Sequence, residues 1–333
     1  MPLRSGAVES RFATPTGLRR LPGRWPGSRF RTAVSDPAEP WETPISRVEA
    51  AWLPGRPFRP SDISQVPPAA LAALGSDCGP LPLDSLFVVP RTTRLIGPRQ
   101  CVLTPAKVLA FGDGAVGLWI DDGPGRVIAI PIDRLMAIDD RQILLHGRLR
   151  LIAVEGDLVV RYNTTERADL RDNLAWLRRR VATTSVPTGS GFLWLSRRGE
   201  QNDPQRLPFK WRFLLQYSSL LVEPGEEALV AAGDVAEIRG RRSGPASGVA
   251  VLASRELAIA SEPGEYLEGG RYGVDLLAVP RDRLESLAWD GRFLTVRLAR
   301  RDTDSGSTSI ALPLDRHLIE AMRRVFGAAV AWS

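Results

Sequence analysis

The sequence is poor in the residue types that build most metal centres and many active sites. Its 333 residues include only two cysteines and two histidines. Cys78 and Cys101 are too few for a disulfide framework, which favours a reducing cytosol as the compartment. His146 and His317 lie 171 positions apart, and no spacing around them indicates a catalytic triad or a zinc site. The composition therefore disfavours both a histidine-based enzyme and a zinc protein.

Longer signatures of known chemistry are missing as well. No run of about 18 apolar residues occurs, so the sequence predicts no transmembrane helix. The phosphate-binding and dinucleotide-binding glycine motifs are absent, and so is the Gly-x-Ser-x-Gly nucleophile motif. The stretch Asp302–Gly306 has the polar character of a calcium loop, but Pro313 stands where an EF-hand loop needs its bidentate glutamate. We therefore expect no enzyme activity, no cofactor and no bound metal.

Positive charge comes almost entirely from arginine and is concentrated near the start of the sequence. Lysine occurs only at Lys107 and Lys210. Residues 1–60 contain ten arginines and five acidic residues, a net charge of +5, so the other residues supply only about +1 of the total of +6. Prolines recur from Pro22 to Pro60 and exclude a long helix. We expect residues 1–60 to form a disordered basic arm.

Two short motifs recur along the chain at one constant offset of 149 residues. The segment Val102–Leu109 aligns without a gap on Val251–Ala258. At the same offset, Ala129–Leu135 (AIPIDRL) aligns on Ala278–Leu284 (AVPRDRL). Two matches at one offset predict an internal duplication. The Asp-Arg pair that both copies of the second motif contain is expected to satisfy backbone groups at a turn rather than to form a duplicated site.

Each copy continues with strand patterns and closes with an amphipathic helix. Alternating apolar residues predict strands at Ile143–Ile152, Leu158–Tyr162, Phe293–Leu298 and Ser309–Leu312. Helical spacing of apolar residues follows at Leu170, Leu174, Leu177 and Val181, and again at Leu314, Leu318, Ala321 and Val325. We expect the first helix to span 166–181 and the second to begin at Pro313. Each copy is thus predicted to be a bent sheet of about seven strands covered by one helix.

This order of elements resembles the pleckstrin-homology-like (PH-like) superfamily, most closely its bacterial PH and GRAM-type branches. The resemblance rests on Val102–Thr104, Val108–Phe111 and the Ile-Pro-Ile-Asp-Arg-Leu motif within Ile128–Ile138, and it covers roughly 84–183 and 222–327. It implies a mainly β (α+β) fold with two PH-like bent β-barrels in tandem, each closed by a C-terminal α-helix. It also implies a binding role rather than a catalytic one. The basic cluster with which some family members bind phosphoinositides has no clean counterpart, the nearest stretches being Arg91–Arg99 and Arg239–Arg242.

The predictions together divide the chain into five segments. They are a disordered basic arm (1–60), a short helix and linker (61–83), a first PH-like domain (84–185), an aromatic and basic connecting segment (186–221) and a second PH-like domain (222–333). In the connecting segment, Trp211, Phe213 and Leu215 alternate with their neighbours, which predicts a short half-buried strand. The candidate binding surface consists of Trp194, Arg197, Arg198, Lys210, Trp211 and Arg212.

Three interpretations of this surface remain open. Its aromatic residues could pack the two barrels together, contact an anionic membrane, or stack on a single-stranded nucleic acid, which is the least favoured. We expect a cytoplasmic binding or scaffold protein whose partner is a protein or peptide that adds to an exposed sheet edge beside a capping helix. The alternative is peripheral attachment to an anionic lipid membrane through the arm and the connecting segment, and an enzyme of unknown type comes third. The sequence leaves the oligomeric state open.

Overall fold

The computed structural model describes residues 43–45, 56–95, 101–143, 146–164, 167–197, 199–218, 227–234, 245–263, 273–299 and 308–333. Most of the expected basic arm, Arg99, Arg198, Arg239–Arg242 and the Asp302–Gly306 turn lie outside the described residues. The strands are β1 Thr43–Ile45, β2 Leu86–Val89, β3 Thr92–Leu95, β4 Cys101–Thr104, β5 Lys107–Phe111, β6 Ala115–Ile120, β7 Arg126–Pro131, β8 Leu135–Ile143, β9 His146–Ala153, β10 Leu158–Asn163, β11 Gly191–Ser196, β12 Gly199–Gln201, β13 Leu229–Gly233, β14 Gly248–Leu252, β15 Glu256–Ser261, β16 Val274–Pro280, β17 Leu284–Trp289, β18 Leu294–Leu298 and β19 Thr308–Leu312. The α-helices are α1 Pro68–Cys78, α2 Arg167–Val181, α3 Phe209–Ser218 and α4 Arg316–Phe326.

The first unit contains two antiparallel sheets between two helices and a small third sheet with the order β1-β4-β3. The strands β2, β5, β6 and β7 pair in that order, and β8, β9 and β10 form a second meander. Apolar side chains from the inner faces of both sheets, such as Phe87 and Leu149, form one core with Leu170, Leu174 and Leu177 of α2. Helix α1 packs on the outer face of the four-stranded sheet. Both faces are therefore buried at β2, β5 and β6, which explains the mainly apolar sequences of these strands, whereas the edge strand β7 is largely exposed.

The second unit repeats this order of elements. The strands β13, β14, β15 and β16 pair in sequence, β17, β18 and β19 form a separate meander, and α4 follows. Helix α4 packs on the inner side with the three-stranded sheet, and its Leu318 and Met322 are fully buried. Helix α3 covers the outer face of β14, β15 and β16. Each unit thus has a helix on either side of a four-stranded sheet.

The residue offset between the two units changes along the chain. A 3-10 turn follows β7 at Ile132–Arg134 and follows β16 at Arg281–Arg283, which fits the offset of 149. However, β6 begins with Ala115 opposite Pro131, and β15 begins with Glu256 opposite Pro280, which gives an offset of 141 (256 minus 115). The first sequence motif falls in β4, β5 and the turn between them, and its partner falls in β14 and β15, so the two copies of that motif do not occupy equivalent strands.

The same offset of 141 residues also relates two capped 3-10 turns nearer the start of each unit, which the sequence patterns did not reveal. Asp62 caps a 3-10 turn that precedes α1, and Asp203 caps a similar turn that precedes α3. Both caps accept a hydrogen bond from the backbone N–H two residues later. The shared order of elements therefore begins before the segments that the sequence motifs identify.

One continuous sheet joins the two units. The second half of β8 pairs antiparallel with β16, with Ile138 opposite Ala278 and Gln142 opposite Val274. The resulting nine-stranded sheet has the order β10-β9-β8-β16-β15-β14-β13-β11-β12. The mainly β class is confirmed, but within the described ranges no sheet closes into a barrel. The physical reason is that the 3-10 turn after β7 carries the chain to another sheet, where β8 bonds to β16 instead of β7.

The connecting segment differs most from expectation. Residues 209–218 form helix α3, so the predicted strand is wrong. Trp211, Leu214 and Tyr217 lie three residues apart and share the buried face, which is helical spacing. Their burial against the outer face of β14 and β15 stabilises the helix over a short extended strand.

Smaller differences concern the ends of other elements. Helix α4 begins at Arg316 behind the N-cap Asp315, and not at Pro313. Part of the expected disordered arm is structured, because Thr43–Ile45 pair with β4 and Phe58 exchanges backbone hydrogen bonds with Val88. The predicted strand Ile143–Ile152 corresponds mainly to β9, and only Ile143 belongs to β8.

Candidate functional site

The outer edge of the strand that follows the 3-10 turn is paired in both units, with a strand in the first and with a single-residue bridge in the second. In the first unit this edge belongs to β8, and β16 occupies it. In the second unit it belongs to β17, and the short segment Ala331–Ser333 occupies it. The Leu287 N–H donates to the Ala331 carbonyl and the Leu287 carbonyl accepts from the Ser333 N–H, both at 2.9 Å. Leu287 corresponds to Ile138 at the offset of 149, so the two edges are used at equivalent positions.

The two segments that pair with these edges run in opposite directions relative to β8 and β17. Ala278 of β16 lies opposite Ile138 in an antiparallel pair, whereas Trp332 lies beside Leu287 in a parallel bridge. Two directions at equivalent positions indicate that the edge is bound mainly through backbone groups, which both directions can satisfy.

Trp332 lies between β17 and α4 together with Trp289 and Arg323, and we call the space between these three side chains the β17 groove. The Arg323 guanidinium of α4 lies 5.2 Å from the centre of the Trp332 ring and 5.9 Å from that of Trp289, which are cation–π distances. Val330 is buried beside them in the core of the second unit. The indole N–H groups of Trp289 and Trp332 are buried and have no acceptor among the described residues. This groove therefore combines apolar rings, one cation and unused donors.

In the first unit, the apolar face of α2 is buried in the core of its own unit. A cavity of about 300 Å³ lies at the end of α2 and is lined by charged residues that include Asp113, Arg180 and Arg283. Arg283 is buried and donates a hydrogen bond to the carbonyl of Asp133, so the repeated Asp-Arg motifs touch each other between the units.

The structure divides the surface predicted in the connecting segment. Trp211 is buried against β14 and β15, so it belongs to the core and not to a binding surface. Trp194 of β11 is half-buried, while Arg197 and Arg212 are exposed and Arg198 lies outside the described residues. Lys210 pairs with Glu262 at 2.7 Å and lies 4.5 Å from the Trp211 ring centre.

Two exposed rings that sequence analysis did not select stand on α3. Phe209 is 77% exposed and Phe213 is 37% exposed. They lie four residues apart, which places them on one side of the helix. If the segment is interpreted as a helix, Phe209 and Phe213 fall on a different side from Trp211, Leu214 and Tyr217. That interpretation would have identified them as exposed rings.

A buried carboxylate joins α3 to the first unit. Asp140 of β8 accepts hydrogen bonds from the Tyr162 hydroxyl at 2.7 Å, the Tyr217 hydroxyl at 2.8 Å and the Gln142 amide at 2.7 Å. Burial raises the pKa of Asp140, against the opposing effect of these donors. Burial also raises the pKa of nearby Asp275 to about 6. The Asp140 side chain is enclosed by protein, so its arrangement serves the packing of three elements rather than a ligand.

A buried ion pair joins the same parts of the chain. Arg178 of α2 donates to the Glu256 carboxylate of β15 and to the Ser218 carbonyl at the end of α3. Both charged side chains are almost completely buried. Because a buried charge is costly without its partner, this pair favours one arrangement of α2, α3 and β15 over others.

Each of the two histidines lies near the start of an element. His317 lies in the first turn of α4, where its ring contacts the Asp315 carboxylate and the Asp234 carbonyl. His146 is the first residue of β9. No group of three or more His, Cys, Asp or Glu residues in the described ranges could hold a metal ion. Among the same residues, no helix has the length and apolar character needed to cross a membrane.

Comparison with known proteins adds no assignment. No protein-family model matches the chain, and no curated protein is found to be similar to it.

Proposed function

We propose that this chain is a non-enzymatic binding or scaffold protein with two PH-like units, and that its partner is an extended segment of a protein or peptide. The segment adds to the outer edge of β17. One observation carries the proposal: this edge already holds Ala331–Ser333, and the equivalent edge of β8 holds β16. The same edge thus makes backbone pairs with another segment in both units, over five residues in the first and at a single bridge in the second.

The repeated order of elements supports the PH-like interpretation of both units. Each unit has four strands paired side by side, a 3-10 turn, three strands and a helix, in the order that the resemblance implies, although the first unit inserts β3 and β4 between β2 and β5. The edge of the first unit is used inside the chain, because β16 covers residues 138–142 of β8. A partner would therefore bind at the edge of β17 in the second unit, where it would displace the short segment Ala331–Ser333.

The backbone of the segment Ala331–Ser333 is held to β17 by few hydrogen bonds, so a longer peptide can displace it. The segment makes two backbone hydrogen bonds with Leu287, each worth a net of about 1 kcal/mol. A longer peptide can bond to more of the six residues of β17. Specificity then comes from the groove, where an aromatic residue in the place of Trp332 stacks on Arg323. A partner with an aromatic residue flanked by small residues fits this site.

The test measures binding of a fluorescent peptide with the sequence of residues 327–333 (GAAVAWS). The two proteins compared are the full chain and a variant without residues 331–333. We expect the variant to bind about tenfold more tightly or better, because its edge is free. A peptide with alanine in place of tryptophan is expected to bind more weakly.

A second variant keeps the edge segment in place and weakens it. Ser333→Pro removes the N–H that donates to Leu287, so it should also increase peptide binding by the full-length chain. Cooperative thermal unfolding of each variant serves as the folding control. Equal binding by all three proteins, or no binding by a folded variant without residues 331–333, overturns the proposal.

A further inference from the structure

Helix α3 presents an exposed stripe opposite its buried face. Arg206 precedes the helix, and Phe209, Arg212, Phe213 and Gln216 follow at the spacing of one helix side. All five side chains are exposed, and the Phe209 ring is 77% exposed. We call these five residues the α3 face. Large exposed rings side by side are unusual on a protein surface and mark a contact surface when they are grouped.

The charged side chains that belong to the α3 face itself, Arg206 and Arg212, are both positive. Residues 204–218 contain Arg206, Lys210 and Arg212 and no acidic residue. Lys210 is paired with Glu262 and Arg206 lies 3.4 Å from Asp203, whereas Arg212 is exposed between the two phenylalanines. The sequence before residue 61 adds a net +5 to the same chain. An occupant of the α3 face must therefore be acidic and must accept aromatic rings.

The choice among occupants follows from this charge. A second copy of the chain in a symmetric dimer would place arginine against arginine, which like-charge repulsion disfavours. A single-stranded nucleic acid needs a basic groove along its backbone, and one helix surface offers no groove. A membrane with acidic headgroups satisfies both requirements, because its boundary region accepts aromatic rings beside arginines.

We propose that the α3 face rests on an anionic lipid membrane. Phe209 and Phe213 enter the boundary between headgroups and acyl chains, and Arg206 and Arg212 contact lipid phosphates. This function is additional to peptide binding at β17. Helix α3 packs on the outer face of the four-stranded sheet, whereas the β17 groove lies with α4 on the other side, so one contact leaves the other site free.

The test is co-sedimentation of the full chain with lipid vesicles at low salt and at near-physiological salt. One set of vesicles contains equal parts of phosphatidylserine and phosphatidylcholine, and the other contains phosphatidylcholine alone. We expect binding to the first set only, with weaker binding at higher salt. The Phe209→Ser/Phe213→Ser variant should lose about tenfold in partitioning or more, and Arg212→Gln about fivefold.

Matched controls alter exposed residues elsewhere. Ile63→Ser changes an apolar side chain that is 51% exposed in the first unit, and Arg179→Gln removes an exposed charge from α2. Both should bind vesicles like the parent chain. All variants should unfold at the same temperature, since exposed positions contribute little to stability. Binding of the GAAVAWS peptide by the variant without residues 331–333 should not change when Phe209 and Phe213 are also replaced, which separates this proposal from the first.

Three results would overturn the proposal. The chain could fail to sediment with acidic vesicles at low salt. It could sediment equally well with and without Phe209 and Phe213, which assigns the attraction to other basic residues. It could form a dimer in sedimentation velocity that the phenylalanine substitutions dissociate, which assigns the α3 face to self-association.

Discussion

The Tyr217 hydroxyl of α3 donates a 2.8 Å hydrogen bond to the buried carboxylate of Asp140, 77 residues earlier in β8. The bond crosses from the helix that covers the second unit to a strand of the first. The same phenol accepts a hydrogen bond from the Gln142 amide at 2.7 Å. Tyr217 therefore fixes α3 at the place where β8 and β16 join, and its loss should affect how the two units are held together.

Replacing Tyr217 with phenylalanine should destabilise the protein without changing the helix. The variant removes one donor from a buried carboxylate and one acceptor from a buried amide, at a cost of about 1–3 kcal/mol. Urea unfolding measures the change in the free energy of unfolding. Gln216→Ala, on the exposed side of the same helix, should change it by less than about 0.5 kcal/mol. Equal stability of Tyr217→Phe and the parent would contradict the bond.

The titration of Asp275 should make the protein less stable as the pH rises. Burial raises the pKa of Asp275 in the folded protein to about 6, above the ordinary value of 3.8. When the pH lies between these two pKa values, Asp275 is more often protonated in the folded state than in the unfolded state. Asp275 therefore makes its full contribution to the free energy of unfolding below a pH of about 4. This contribution falls by about 2–3 kcal/mol as the pH rises through about 6.

Asp275→Asn isolates this effect, because asparagine does not titrate. The free energy of unfolding of the parent, minus that of the variant, should fall between a pH of about 4 and about 7. Urea unfolding across this range gives the difference directly. Arg141 lies 3.5 Å from Asp275 and opposes the rise of its pKa, so Arg141→Gln should extend the loss to higher pH. Parallel pH profiles of the parent and Asp275→Asn would rule out a raised pKa.

Breaking the buried pair of Arg178 and Glu256 should be among the most damaging single changes. Glu256→Ala leaves the Arg178 guanidinium buried without its carboxylate, at a cost of about 3–5 kcal/mol. Replacing both residues with apolar side chains, as in Arg178→Met/Glu256→Leu, should recover a large part of that loss. The exposed pair of Arg316 and Glu320 supplies the control, and Glu320→Gln should cost less than about 1 kcal/mol. A small effect of Glu256→Ala in urea unfolding would show that the pair is not buried.

The difference between the predicted and observed connecting segment has a clear physical origin. Over five residues, Trp211, Phe213 and Leu215 alternate as in a strand, while Trp211, Leu214 and Tyr217 follow a helix over seven. What decides between them is the apolar outer face of β14 and β15, which a helix covers better than a three-residue stripe. That face is formed by residues far along the chain, so the local pattern could not include it.

The sequence motifs located one part of each unit correctly and misplaced another. The motif at Ala129–Leu135 matches the same 3-10 turn in both units. The other motif fails because the connection between β15 and β16 is longer than that between β6 and β7, which moves the offset from 141 to 149. Short apolar strands resemble one another too closely for sequence to reveal such a shift. The topology shows it at once through backbone pairing.

The β17 edge could not have been found from sequence. Its two hydrogen bonds use only backbone groups of Leu287, Ala331 and Ser333, which every residue except proline offers. The segment has no alternating pattern that predicts a strand. The sequence shows Trp332 and Arg323 as separate residues. Their contact depends on the position of α4, which brings the guanidinium over the ring.

Gly233, the last residue of β13, should tolerate no side chain. A Cβ at this position would overlap the backbone N and Cα of Leu318 in α4, and backbone atoms cannot rotate away as a side chain can. Leu318 is itself fully buried, so α4 has no free direction in which to shift. Gly233→Ala should therefore cost about 3 kcal/mol in urea unfolding, through displacement of the helix from the sheet.

Gly75→Ala in α1 is the matched control for this close approach. No atom lies within 4 Å of the position that its Cβ would take, and alanine is favoured over glycine inside a helix. This variant should be more stable than the parent by up to about 1 kcal/mol. If Gly233→Ala were as stable as Gly75→Ala, α4 could not lie this close to β13. The groove between α4 and β17 would then have a different shape, and the position of Arg323 over Trp332 would no longer follow.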